Sequence, residues 1–246
     1  MNRTSIFKII AFFILSTLLL GILAYLLGTF YLTPPLESTS AADSQLKYTT
    51  VIIDAGHGGE DGGASSAAGL VEKNVNLSIA QNLRVMLEAN GINVVMTRED
   101  DKLLYDRNVD FHGRKKKLDM AARLKVMKES ENAIFISIHM NSYSDPKYSG
   151  LQVWYSQNHG DSMTLADLIR QNNQKHLQSD NTRRIKAATS AIFLLNEAPC
   201  PAVLVECGFL SNTDEAAKFE GEEYRQRLAF MLFGSIMEFL RVQNGS

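Results

Sequence analysis

Short apolar runs alternate with stretches whose apolar residues recur at helical spacing, and this alternation restricts the chain to one class of fold. Residues 51–53 are Val-Ile-Ile, residues 202–205 are Ala-Val-Leu-Val, and residues 133–138 are polar only at Ser137. Strands this uniformly apolar cannot leave one face in water; they suit a sheet covered on both sides. Residues 49–54, 92–97, 133–138, 151–155, 192–195 and 202–206 read as strands. Between them, Val75, Ile79, Leu83, Met86 and Leu87 mark a helix that Asn90-Gly91 ends. A second helix carries the stripe Leu118, Ala121, Leu124 and Met127, and a third covers 163–177. The last, over 222–242, turns Leu228, Met231, Leu232, Ile236, Phe239 and Leu240 inward. The expected fold is α/β: a single domain with a mainly parallel mixed sheet and helices on both faces.

The chain's 246 residues are enough for one such domain of roughly 200 residues after a short appendage. A formal net charge of -2 offers no argument for nucleic-acid binding. The N-terminus differs in kind. Arg3 and Lys8 precede residues 9–32, which carry no charge. At about 1.5 Å per residue such a helix crosses a hydrocarbon core of about 30 Å. Basic residues on its N-terminal side keep that side cytoplasmic, so the domain lies outside the membrane. A cleaved signal peptide, with Ser40 and Ala42 before the cut, is the rival reading. Signal h-regions typically run about 7–15 residues, and this run is longer, which favours an uncleaved anchor. Pro34 and Pro35 stop the helix. The expected division is an anchor over 1–33, a linker over 34–48 and a catalytic domain over 49–246. Cys200 and Cys207 flank an extended run and are expected to stay unbridged.

Four residues stand at or near the ends of these elements: His57, Glu72, His139 and Glu206. In DAGHGGEDGGA the glycines after the first strand strip away side-chain bulk and leave the His57 imidazole projecting into an open crevice. The loop lacks the Walker lysine spacing and the G-x-G-x-x-G form, and Glu60 and Asp61 would repel a phosphate. Singly, each of the others has an ordinary reading. Glu72 is an acid at a helix start, favourable against the macrodipole, and His139 a satisfied structural histidine. Glu206, at the end of a buried strand, needs a partner or a purpose. Together they supply two imidazoles, one anionic oxygen ligand and one spare carboxylate, the makings of an open catalytic zinc with a group to handle protons.

DAGHGGEDGGA, the glutamate of VEKNVNLSIA, SIHMNS and VECGFLSN, in that order, resemble the zinc-dependent N-acetylmuramoyl-L-alanine amidases of the amidase-3 type over residues 50–241. The resemblance implies zinc held by His57, Glu72 and His139, with Glu206 as the catalytic acid/base. It further implies a peptidoglycan substrate, cut at the amide between the lactyl group of N-acetylmuramic acid and L-alanine. The anchor-like N-terminus, TREDD before RKKK, and NTRRIKAATSAIFLL without a cell-wall-binding domain resemble the germination-specific branch of endospore formers. That branch implies action in the spore cortex, where stripped muramic acid is the precursor of muramic-δ-lactam. A zinc carboxypeptidase, a sugar deacetylase and a non-catalytic wall-binding protein are the competing readings. An accessory protein that regulates the hydrolase is a further expectation.

Other residues carry weaker signals. The basic run 114–117 reads as a solvated helix start, or as a contact for anionic lipid or wall polymer. Arg183, Arg184 and Lys186 suit carboxylates of the stem peptide. His112, His159 and His176 read as surface residues. Trp154, Tyr143, Tyr148 and Tyr155 suit either a glycan groove or ordinary packing.

Overall fold

The computed structural model describes residues 14–23, 46–105 and 113–245, in two units, 1–45 and 46–246. In the first unit residues 14–23 are helical (α1), with Leu15, Leu18 and Leu19 exposed. The rest of the expected anchor and linker up to residue 45 lies outside the described residues. No helix among the described residues is long and apolar enough to cross a membrane.

The second unit runs β1 (Thr50–Ala55), α2 (Glu72–Ala89), β2 (Asn93–Met96), α3 (Lys115–Glu129), β3 (Ala133–Asn141), β4 (Gln152–Tyr155) and α4 (Asp161–His176). It continues through β5 (Lys186–Ala187), α5 (Phe193–Glu197), β6 (Ala202–Phe209), α6 (Thr213–Glu220) and α7 (Glu222–Gln243). The strands form one sheet in the order β2-β1-β3-β6-β4-β5. β1 pairs parallel with β2 and β3, β3 with β6, and β4 with β5, whereas β4 runs antiparallel to β6. The mixed, mainly parallel sheet is therefore the expected one.

Alternation along the strands divides the core. Val51, Ile53, Ile134, Ile136, Val203 and Val205 face α2, α4 and α7. Ile52, Phe135 and Ala202 face the opposite way, onto Leu124 and Met127 of α3 and Leu194 and Leu195 of α5. Burying each such side chain contributes about 1.5–3 kcal/mol, and both faces of the central strands collect that contribution. Tyr48, the last residue of the expected linker, is buried and stacks on Phe239 of α7 at 5.6 Å.

Two differences from the sequence reading have physical reasons. Residues 192–195 are not a strand: α5 forms there, with Asn196 N donating to Ile192 O at 3.0 Å. A four-residue apolar run has no readable period, and here the edge of the sheet is taken by β5, only two residues long. The helix α6 follows Asn212, whose side chain accepts from Glu215 N, an N-cap signal available in Asn-Thr-Asp-Glu. Cys200 and Cys207 are both free and buried, as expected.

Candidate metal centre and catalytic site

The parallel register brings three strand ends to one rim. Asp54 pairs with Ser137, and His139 pairs with Glu206. Because β4 runs the other way, its first residue, Gln152, lies opposite Glu206 at the same rim.

His57 sits just past β1 with φ of 62°, in the left-handed region that few non-glycine residues occupy. The loop is held there by two buried arginines. Arg123 of α3 donates Nη2 to His57 O at 2.8 Å and Nη1 to Ala55 O at 2.9 Å. Arg98 donates Nε to Ala55 O at 2.8 Å and Nη2 to Gly56 O at 3.0 Å. Arg123 is itself paired with Asp54 at 2.5 Å and Asp119 at 2.8 Å, all three groups being essentially inaccessible. Gly56 lets His139 approach: a Cβ there would stand 2.3 Å from the ring's Cε1 and Nε2.

Glu72 opens α2, but its carboxylate turns toward the rim. Oε1 lies 3.0 Å from His139 Nδ1 and 3.2 Å from His57 Nε2, and accepts Met140 N at 3.0 Å. Oε2 accepts Ala64 N at 2.7 Å. Burial alone would raise this carboxyl's pKa; the hydrogen bonds from His139 and His57 outweigh it and hold Glu72 far below the ordinary range. His57 is correspondingly raised, burial being outweighed by Glu72 and Asp61. Asp61 Oδ2 is 2.9 Å from His57 Nδ1, an ion-pair distance.

The ligand atoms of His57, Glu72 and His139 all lie within 4.8 Å of one another. Glu206 stands beside them with its Oε2 buried and, among the described residues, without a hydrogen-bond partner. Burial raises its pKa, opposed by the charge of His139. A cavity of about 300 Å³ opens over His139 and Glu206 toward α3 and α5. The donor number and type fit a metal in an open site, and an unpartnered carboxylate beside it fits a proton carrier.

All four residues singled out in the sequence therefore meet at one place. Of the weaker signals, Lys115 opens α3 and pairs with Glu60, and Lys116 is exposed on the cavity wall. His176 is exposed, and His112 lies outside the described residues. His159 is half-buried rather than superficial, with Nε2 3.5 Å from Tyr48 Oη and Nδ1 accepting Asp161 N. Trp154 packs into the α3/α5 core and Tyr155 into the other, whereas Tyr143 and Tyr148 are exposed and meet edge to face at 5.0 Å. Asp61, Arg98, Arg123 and Gln152 were not legible as site residues.

Residues 51–238 match the family model described as N-acetylmuramoyl-L-alanine amidase. The chain belongs to that family. All four site residues fall within the match. The amidase is 33% identical over 189 residues to the germination-specific N-acetylmuramoyl-L-alanine amidase of Bacillus subtilis, covering 77% of this chain and 78% of the relative. It shares 35% identity and a TM-score of 0.75 with the CwlD amidase of Clostridioides difficile, solved in complex with the GerS lipoprotein, over 79% of this chain and 99% of that one. The catalytic domain of CwlV from Bacillus (Paenibacillus) polymyxa is 28% identical with a TM-score of 0.65, over 79% and 99% of the two chains. The amidase hydrolyses the bond between the lactyl group of N-acetylmuramic acid and the L-alanine of the stem peptide.

Proposed function

We propose that the amidase is a zinc enzyme, with the metal held by His57, Glu72 and His139 and Glu206 moving the proton. One observation carries this: three donors converge beside a buried carboxylate oxygen that has no hydrogen-bond partner among the described residues. When bound, zinc lowers the pKa of a coordinated water and polarises the scissile carbonyl. The protein's own part is then well defined. Glu72 takes no proton, because both imidazoles aim at its Oε1. Glu206 Oε2 accepts the proton released as water attacks the lactyl carbonyl and delivers it to the departing nitrogen of L-alanine. Arg98 and Arg123 keep the His57 loop in its left-handed turn throughout.

The reading extends to place and process. Residues 9–32 carry no charge and follow Arg3 and Lys8, which supports a single-pass anchor with the catalytic domain outside the cytoplasm. The likeness to a germination-specific amidase supports action on spore cortex, toward muramic-δ-lactam. That the CwlD amidase was solved with a lipoprotein supports an accessory protein here as well. Carbonate extraction of membranes tests the anchor: release of the chain into the soluble fraction would overturn it.

Peptidoglycan digested with the zinc-loaded chain is expected to yield free stem peptides with N-terminal L-alanine by mass spectrometry. A chelator should abolish the products and added zinc restore them. Release of acetate or of a terminal amino acid instead would refute the amidase chemistry. Gly56→Ala, which pushes a methyl into the His139 ring, is expected to weaken zinc binding about 10- to 100-fold, as displacement of a ligand's support does. Titration calorimetry measures it, and an unchanged affinity would show that Gly56 does not set the ring's position.

A further inference from the structure

The rim that holds the metal ligands continues past Glu206. Gln152 lies opposite Glu206 and its Nε2 donates to Arg184 O at 2.6 Å, so residues 183–184 are tied to the next position along the rim. There Arg183 is prearranged. Its Nε donates to Ser149 O at 2.8 Å, its backbone N–H to Asn181 Oδ1 at 3.0 Å, and its guanidinium stacks over Phe209 at 4.9 Å from the ring centroid. Among the described residues no carboxylate pairs with it. A cavity of about 480 Å³ opens beside it. The nearby Glu215 carboxylate is taken up by Gly150 N at 2.9 Å and Phe209 N at 2.8 Å.

Resting on the amidase reading, the geometry points to Arg183 as the receptor for a free carboxylate on the peptide side of the scissile amide. Two strand spacings separate β6 from β5, roughly 10 Å. An extended peptide gains about 3.3–3.6 Å per residue, so a carboxylate on the second or third stem residue reaches the guanidinium when the first is at Glu206. Arg183 lines the cavity, and a guanidinium can take a carboxylate as a bidentate pair. The cavity wall carries Lys147 and Lys218 as well as Asp180 and Asp214, so its charges offset one another and a single carboxylate suits it better than a densely charged polymer.

The test uses the zinc-loaded chain and two soluble disaccharide muropeptides, identical except that the second residue's α-carboxylate is free or amidated. The wild type should favour the free acid by about 10- to 100-fold in kcat/KM, the range of a charged hydrogen bond. Arg183→Met should bring the free acid down to the amide's rate, and Arg183→Lys should keep part of the preference. Equal rates for both substrates in the wild type would overturn the assignment while leaving the amidase intact. So would an Arg183→Met variant that loses the same factor on both, the mark of a purely structural residue. Release of peptide from neither substrate would overturn the amidase reading beneath it.

Discussion

Replacing Glu206 by glutamine is expected to cut kcat by about 10²–10⁴-fold while bound metal stays stoichiometric. The substitution keeps the side chain's shape and removes only its ability to hold a proton. Its Oε2 has no hydrogen-bond partner among the described residues, so little structure depends on the charge. A buried ionisable oxygen left unpartnered is otherwise unfavourable, and burial accordingly raises its pKa. The proposed role as proton carrier accounts for its place beside His139. Steady-state rates on peptidoglycan, with metal analysis of the same sample, decide the matter. Full activity would remove Glu206 from the chemistry, and loss of metal along with activity would make it a ligand instead.

Three of the four site residues were legible because a buried strand is a plain signal and its end is visible. His139 and Glu206 close apolar runs, and His57 follows one across a glycine turn. Glu72 was not legible by itself, since an acid at a helix start is commonplace; only the resemblance made it a ligand. What stayed hidden is the group of residues behind the site. Arg123 lies four residues from both Asp119 and Met127, and a charged residue on a helix reads as solvent-facing until its partners are known. Arg98 reads as part of a polar loop, although it is among the largest fully buried side chains. Residues 192–195 failed for a different reason: four apolar residues carry no period, and tertiary packing chose the helix.

The sheet order explains why the site is a line. Across β1, β3, β6 and β4 the rim presents, in turn, His57, His139, Glu206 and Gln152, and Arg183 follows beside β5. A substrate that is itself extended, a peptide joined to a sugar by one amide, matches such a line better than a closed pocket would. The switch from parallel to antiparallel pairing at β6/β4 is what places a strand beginning, rather than a strand end, next to Glu206. The edge beyond it is then free for residues 178–184, tied through Gln152 and Asn181.

Removing Arg123 should cost more stability than any surface change, about 3–5 kcal/mol for Arg123→Met, because the Asp54 and Asp119 carboxylates are left buried without their cation. Asp54 makes the effect depend on pH. Burial alone would raise its pKa, but Arg123, the Ser137 hydroxyl, the charge of His139 and the Thr97 hydroxyl outweigh burial and hold it below the ordinary value. A folded-state pKa below the unfolded value of roughly 3.9 means stability that is present above about pH 4 and is lost as pH falls through the folded value. Without Arg123 the largest influence opposing burial is gone, so the Asp54 pKa rises relative to the wild type and less stability is lost as pH falls. The gap between wild type and Arg123→Met should therefore be widest near pH 7 and narrow below about pH 4. Denaturant unfolding of metal-free protein at both pH values measures it, metal binding being excluded because it would add its own stabilisation. A gap that stays constant with pH would mean that the loss comes from packing alone and that Asp54 is not held as a carboxylate by Arg123.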